Sequence, residues 1–229
     1  MIKGDKSIMT AAMQRGYKGI GMEGSIARWY EKTTRKDLDE FRKLAERLGA
    51  IAPENAAVLE VAPGPGFLAV ELARGGKLRV TGLDISKTFV ELAQKNATEA
   101  GVRAELRQGN ASDMPFADNS FDLLVCRAAF KNFTQPQKAL REMRRVLRPG
   151  GKGVIIDLRQ GASMAEIRQF VDGLGLSRFD RWWTLMTFRF MLLPRSYKKE
   201  DLERMVQATG FSRASVEASG IGLEAWFEK

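Results

Sequence analysis

Short apolar runs alternate with helical spacings through the middle of the chain. Ala57-Val-Leu-Glu-Val61 reads as a strand, and Gly66 to Arg74 as a helix stopped by Gly75-Gly76. Leu78-Arg-Val-Thr-Gly-Leu83 is a second strand. Ser86 then caps a helix with Phe89, Val90, Leu92, Ala93 and Ala97 along one face. Ala104 to Gln108 and Phe121 to Val125 are the third and fourth strands. Pro136 opens a helix whose apolar stripe is Ala139, Leu140, Met143, Val146 and Leu147; Pro149-Gly150-Gly151 ends it, and Gly153 to Asp157 is a fifth strand. Strands alternating with helices at this spacing predict an α/β fold of Rossmann-like, doubly wound type, with a mostly parallel sheet and helices on both faces.

Upstream, the spacing predicts a helix from about Arg35 to Leu48, with Leu38, Phe41, Leu44, Ala45 and Leu48 inward and Gly49 at its end. Downstream, Ala165 to Leu174 has helical spacing, and Phe179 to Leu193 is rich in aromatics. A further helix starts at Ser196-Tyr-Lys-Lys-Glu-Asp-Leu and runs to about Thr209. Ser212 to Ala218 and Leu223 to Glu228 form a C-terminal antiparallel hairpin about a turn at Gly220-Ile-Gly222. One domain accounts for residues 1–229: an N-terminal helical cap (1–50), a cofactor-binding core (51–158), a lid insertion (159–195), and the last helix with the hairpin (196–229).

At 229 residues with 44% hydrophobic and 28% charged positions, the chain has the composition of a globular domain. Its longest apolar stretch, Trp182 to Leu193, carries Arg189 and falls short of the roughly 20 residues of a membrane span. The charged start, Met1 to Lys6, has no apolar run behind it, so a secretory signal is not expected. A single cysteine, Cys126, excludes an internal disulfide framework and fits a reducing, cytoplasmic setting. The chain has no histidine. That excludes Ser-His-Asp and Cys-His machinery and His-containing zinc sites, and no metal site is expected. The net charge of +9 is spread along the chain with no long basic block, so a solvated surface is the simpler reading and nucleic acid an improbable partner.

The strongest chemical signal is Val58-Leu-Glu-Val-Ala-Pro-Gly-Pro-Gly-Phe67, a strand entering a glycine-rich turn and then a helix. Gly64 and Gly66 allow a sharp turn and a close approach to a ligand, which the helix N-terminus faces. Alone, Gly64-x-Gly66-x-x-Ala69 also satisfies the dinucleotide pattern. Asp84 ends the second strand, 24 residues after Glu60, where a carboxylate accepts both ribose hydroxyls of an adenosine.

Gly109-Asn-Ala-Ser-Asp-Met-Pro-Phe116, Phe121 to Val125 and Arg145-Val-Leu-Arg-Pro-Gly-Gly151 follow at tight intervals. With these in order, the chain resembles the class I S-adenosylmethionine-dependent methyltransferases, in their small-molecule and quinone-type branch, over about residues 25–160. The resemblance implies S-adenosylmethionine as cofactor and S-adenosylhomocysteine as product. It implies that Glu60, Ala62, Pro63, Gly64 and Gly66 line the methionine end, that Asp84 holds the ribose, and that Ile85 lies beside the adenine. Asn110 and Ala111 then sit at the adenine edge, and Arg127 flanks the methionine part. Two positions depart from the family's pattern: Ala62 stands where glycine is usual, and Asn110 where aspartate is common. An amide oxygen still accepts a hydrogen bond from an adenine amine, so weaker affinity is expected rather than none.

Methyl transfer by in-line displacement needs a nucleophile held about 3 Å from the methyl carbon in a site closed to water. Tyr30 and Lys131 are the candidates for orienting a small, apolar or aromatic acceptor, beside Asn132 and the aromatic lid. The segment 179–199 carries Arg181, Arg189, Arg195, Lys198 and Lys199 and allows a peripheral membrane or lipid contact. Three other readings stay open on the residues alone. One is an NAD(P)-dependent oxidoreductase, which shares the glycine turn and Asp84. Another is a methyltransferase of lipids, quinones or nucleic acid, and the last a non-catalytic partner subunit.

Overall fold

The structure is a computed structural model that describes residues 16–18 and 21–229. The expected N-terminal cap is therefore seen from Gly16 onward; the start of the chain, Met1 to Lys6 included, lies outside the described residues. Seven strands form one sheet in the order β3-β2-β1-β4-β5-β7-β6. They are β1 Ala57–Val61, β2 Arg79–Asp84, β3 Ala104–Gln108, β4 Phe121–Arg127, β5 Leu147–Leu158, β6 Arg213–Ser219 and β7 Gly222–Glu228. The first five pair in parallel, and β7 runs antiparallel between β5 and β6. The chain moves outward from β1 to β3, then returns to place β4 on the other side of β1. That reversal opens a crevice at the C-terminal ends of β1 and β4, where ligands bind in open α/β sheets.

Helices cover both faces because the central strands are apolar on both: all five residues of β1 are buried. On one face pack α2 (Leu38–Ile51) and α3 (Phe67–Ala73), through Phe41, Leu44, Leu48, Phe67, Leu68 and Leu72. On the other lie α5 (Pro136–Val146) and α8 (Lys199–Gln207), which add Leu140, Met143, Leu202 and Val206 to the larger core. Helix α4 (Lys87–Glu99) lies against β2 and β3, with Ser86 as its cap: the Phe89 N–H donates to Ser86 Oγ at 3.0 Å.

Three expectations need correction. Gly49 does not end the upstream helix. α2 continues to Ile51, and Pro53 sets the stop by holding Ala52 extended. Ahead of it lies a separate helix, α1 (Gly24–Thr34), joined to α2 by the turn Arg35–Asp37. The fifth strand starts at Leu147, because Phe121 pairs with Leu147 before the register shifts to Leu123 with Lys152. Between β5 and α8, helices α6 (Met164–Asp172) and α7 (Arg178–Thr187), a π-turn (Phe188–Leu192) and the turn Leu193–Arg195 build a small lobe. Its core is its own: Ile167, Val171, Leu185 and Leu193, closed by Ile221 of the hairpin turn.

Candidate active site

The crevice holds a cavity of about 280 Å³ whose walls come from the ends of β1, β2, β3 and β4 and from the N-terminal segment. Glu60, Ala62, Pro63, Gly64, Asp84, Ile85, Asn110, Ala111, Arg127 and Tyr30 all line it. The topology thus brings together nearly every residue that the resemblance singled out. Gly66 and Lys131 are not in the wall.

The loop after β1 turns through three left-handed residues, Ala62 (φ 58°), Gly64 (φ 56°) and Gly66 (φ 77°). Gly66 is needed for packing: a Cβ there would lie 2.6 Å from the Cβ of Ala93 on α4. Gly64 serves the cavity, since its N–H donates to Asp84 Oδ2 at 2.9 Å and the loop is drawn onto the end of β2. Ala62 takes the same conformation without glycine's freedom, a cost of about 1–2 kcal/mol. Its N–H donates to Leu83 O, which fixes the loop to β2.

Asp84 also accepts from the Ser86 N–H at 2.8 Å on Oδ1. Burial pushes its carboxyl up to about 6 against these two backbone donors. Each oxygen keeps a lone pair for a further donor. The N-terminus of α4 is closed by Glu23, whose carboxylate accepts from the Lys87 and Thr88 N–H groups, while Ser86 Oγ donates to Met22 O. The segment before α1 is thereby tied to the end of β2.

Glu60 is the most anomalous group in the wall. Its side chain is buried, at 3% exposure, and Oε2 has no hydrogen-bond partner. Burial pushes its carboxyl up to about 8, opposed first by the charge of Arg127 and then by the Ala69 N–H. Arg127 stacks over the Phe41 ring at 4.5 Å and reaches Glu40 at 3.2 Å, which holds it at the flank of the cavity.

Asn110 Oδ1 accepts from the Ser112 N–H at 2.8 Å, which fixes the amide while leaving its oxygen one lone pair. Ile85 lies next to it: a Cβ on Gly16 would touch both side chains. Gly16, Tyr17 and Lys18 cover this end of the cavity by pairing with the segment after β4, with Lys18 N–H donating to Asn132 O and Thr134 N–H to Gly16 O. Tyr17 is a wall residue that sequence reasoning missed. Its signal was an aromatic between glycines, in Arg15-Gly-Tyr-Lys-Gly19. Burial, with Tyr30 and Asp84 nearby, raises its phenol above the ordinary value, so it stays protonated near neutral pH. Tyr30 lies edge-on to Phe89, with ring centroids 5.7 Å apart.

Lys131 is instead a buried ion-pair partner. Its Nζ donates to Asp157 Oδ1 at 2.6 Å and to Ala128 O at 2.8 Å, and its own N–H donates to Asp157 Oδ2. It joins the turn after β4 to the end of β5 and has no free donor pair aimed at the cavity. Asn132 lines the wall. Cys126 is fully buried, and burial and Asp157 push its thiol far up, so it is inert. None of the lobe's aromatics lines the cavity, so the lobe does not form an apolar acceptor pocket there. Among the described residues no group of acidic or cysteine side chains could hold a metal ion.

The methyltransferase domain family matches residues 59–155, the span from β1 to β5 that carries this wall. A SAM-dependent methyltransferase from Aquifex aeolicus superposes with a TM-score of 0.67 at 20% identity, over 89% of this chain and 97% of that one. Sheet order, glycine turn and acidic strand ends therefore define a class I methyltransferase fold. A demethylmenaquinone methyltransferase from Deinococcus radiodurans is 31% identical over 219 residues, 91% of this chain and 88% of that protein. A ubiquinone/menaquinone biosynthesis C-methyltransferase from Sinorhizobium fredii is 30% identical over 173 residues, 71% of this chain and 67% of that one. The chain belongs to the class I S-adenosylmethionine-dependent methyltransferases, in the branch that contains these two enzymes. It is a methyltransferase with S-adenosylmethionine as cofactor and S-adenosylhomocysteine as product.

Proposed function

We propose that this enzyme methylates a ring carbon of a small quinone-type acceptor in its reduced, phenolic form. The observation that carries this reading is the similarity to the Deinococcus radiodurans demethylmenaquinone methyltransferase over nine-tenths of the chain. The wall supports it, because Tyr17, Tyr30, Phe41, Phe89 and Phe133 line it with aromatic rings that suit a flat acceptor ring.

The residues present fit the cofactor. An unpartnered buried carboxylate oxygen on Glu60 suits the ammonium of the methionine part. Asp84 has lone pairs left for two ribose hydroxyls, Ile85 and Ala111 flank an adenine, and Asn110 presents an amide to its edge. Gly64 keeps side-chain atoms out of the methionine end. When bound, the cofactor supplies an electrophilic methyl on a sulfonium.

The chain's own part is binding, orientation and exclusion of water. Tyr17, held protonated, donates a hydrogen bond to an acceptor oxygen and is not the base. Tyr30 orients the ring from the other side. Asp84 and Glu60 are committed to the cofactor. Without histidine, the phenolic proton of the acceptor leaves to water as the ring carbon takes the methyl. The hydrogen on that carbon then leaves as a proton while the oxygen is reprotonated and the ring regains aromaticity, and rate comes chiefly from proximity. Lys131 acts through Asp157 as a positioning residue. The single, buried Cys126 suits a reducing compartment and supports a cytoplasmic enzyme. Among the described residues no helix is long and apolar enough to cross a membrane.

The test is transfer of a labelled methyl group from S-adenosylmethionine to a demethylmenaquinol, with the unreduced quinone beside it. Product that appears only with the reduced ring supports the reading. Tight S-adenosylhomocysteine binding with no transfer to either ring overturns the acceptor and leaves the family in place.

A further inference from the structure

The lobe between β5 and α8 satisfies its inner face and leaves its outer one bare. Leu185 of α7 is buried in the lobe's core. Phe179, Trp182 and Trp183, at i, i+3 and i+4, share a stripe that stays outside that core, and are 73%, 54% and 62% exposed. The π-turn continues the stripe with Phe190, at 69% exposure, and Met191. Two of the chain's four tryptophans are thus turned to solvent side by side, where a packed domain rarely leaves such contiguous apolar surface without a partner.

Charge tells which partner. Residues 174–199 contain six basic side chains and one acid, Asp180, whose carboxylate is occupied by the Ser177 hydroxyl at the start of α7. Arg181 is paired with Asp172, but Arg178, Arg189, Arg195, Lys198 and Lys199 make no ion pair among the described residues. A second copy of the chain would bring this cationic rim, and a net charge of +9, against the same. Indole rings beside unpaired arginines match instead the boundary between headgroups and acyl chains of an anionic bilayer. Helix α7 has 10 residues, enough to lie in that boundary and far too few to span it.

We propose that the outer face of α7 and the π-turn seats the protein on an anionic lipid surface, with Trp182, Trp183 and Phe190 among the headgroups and Arg178 and Arg189 on the phosphates. The lobe's last turn runs back toward the cavity. Lys18 lies over the Tyr197 ring at 5.7 Å, and the charge of Arg195 is felt by Tyr17. Seated this way, the lobe brings the bilayer close to the cavity cover that these contacts join, which shortens the path of an acceptor dissolved in lipid. This last step rests on the quinone reading; the docking itself does not.

The experiment is flotation of the full chain with vesicles of phosphatidylcholine, with and without phosphatidylglycerol. The wild type floats with the anionic vesicles, and its tryptophan emission shifts to the blue. Arg178→Glu with Arg189→Glu binds them at least ~30-fold more weakly, the effect of two lost cations at the surface. Trp182→Ser with Trp183→Ser loses about tenfold while S-adenosylhomocysteine binding by calorimetry is unchanged, which shows the fold intact. The pair also raises KM for a demethylmenaquinol carried in vesicles and leaves kcat as it was. No flotation, equal flotation on neutral vesicles, or a dimer in light scattering that the tryptophan variant dissociates would each overturn the proposal. Flotation without methyl transfer to any quinol sinks the acceptor reading and leaves the docking face standing.

Discussion

At the ends of β1 and β2 the protein buries carboxyl groups: Glu60 and Asp84 are almost out of reach of solvent, and burial pushes them up to about 8 and about 6. Between β5 and α8 the lobe does the reverse and leaves phenyl and indole rings in water. Each region departs from what stability alone would select, in opposite directions. The cavity floor forgoes the hydration of charge, so removing a floor carboxyl relieves the fold and damages binding. The lobe leaves apolar area unburied, so its outer rings contribute little to folding and their effect appears only with a partner. The Lys131–Asp157 pair links the two regions, since it fastens the turn that follows β4 to the end of the strand from which the lobe springs.

Breaking that link has the largest expected effect. Lys131→Met leaves the Asp157 carboxylate buried with the Lys131 and Leu158 N–H groups as its remaining donors. The loss of its counter-ion should lower the unfolding free energy by about 3 kcal/mol, measured as a shift in the urea midpoint at constant slope. Stability within 1 kcal/mol of the wild type, about the size of an ordinary single substitution, together with lost turnover would return Lys131 to the role of orienting the acceptor.

Glu60→Gln sharpens the contrast between floor and lobe. A carboxyl held above its ordinary value of 4.5 binds a proton in the folded state that the unfolded chain gives up. Its contribution to stability is therefore full below pH 4.5 and is lost as pH rises toward about 8. The glutamine variant should match the wild type in acid and unfold at higher temperature above pH 8. Cofactor binding should change the other way. Wild-type affinity for S-adenosylhomocysteine rises with pH up to about 8, because the ammonium selects the carboxylate, and the variant binds roughly 100-fold more weakly with a flat profile. Calorimetry in buffers of different ionisation heat reads the released proton. A steep profile in the variant would assign the titration to Asp84.

The central strands β1 and β4 were legible because they are short runs of mostly buried apolar residues; β1 and β3 have the bounds their patterns predict. So was the floor, whose residues are close to strand ends in sequence. Other features depend on contacts that spacing does not encode. Tyr17 enters the wall only because Gly16 to Lys18 pairs with residues 132–134, more than a hundred positions on. Lys131 follows a strand end, like a substrate-facing residue, and only the tertiary fold brings Asp157 against it. In the lobe, the aromatic richness of Phe179 to Leu193 did not show which side chains find a core: Leu185 does, with Ile167 and Ile221, and Trp182 does not.

The smallest expected effect comes from Ala62, where the floor uses alanine for a conformation that the lobe, at Gly175 (φ 62°), gives to glycine. Ala62→Gly removes a left-handed strain of about 1–2 kcal/mol and returns some freedom to the unfolded chain. The net should be a gain of about 0.5–1 kcal/mol, seen as a raised urea midpoint. The same freedom reappears in the folded loop between Pro63 and Pro65, so S-adenosylhomocysteine should bind a few-fold more weakly and with a less favourable entropy. Gly175→Ala in the lobe should do the opposite to stability and nothing to cofactor affinity. If Ala62→Gly lowers stability instead, the alanine methyl, which packs against the larger core, is worth more than its strain. The floor would then be rigid through packing, and the stiffness of the loop would lie in its methyl group and not in its two prolines.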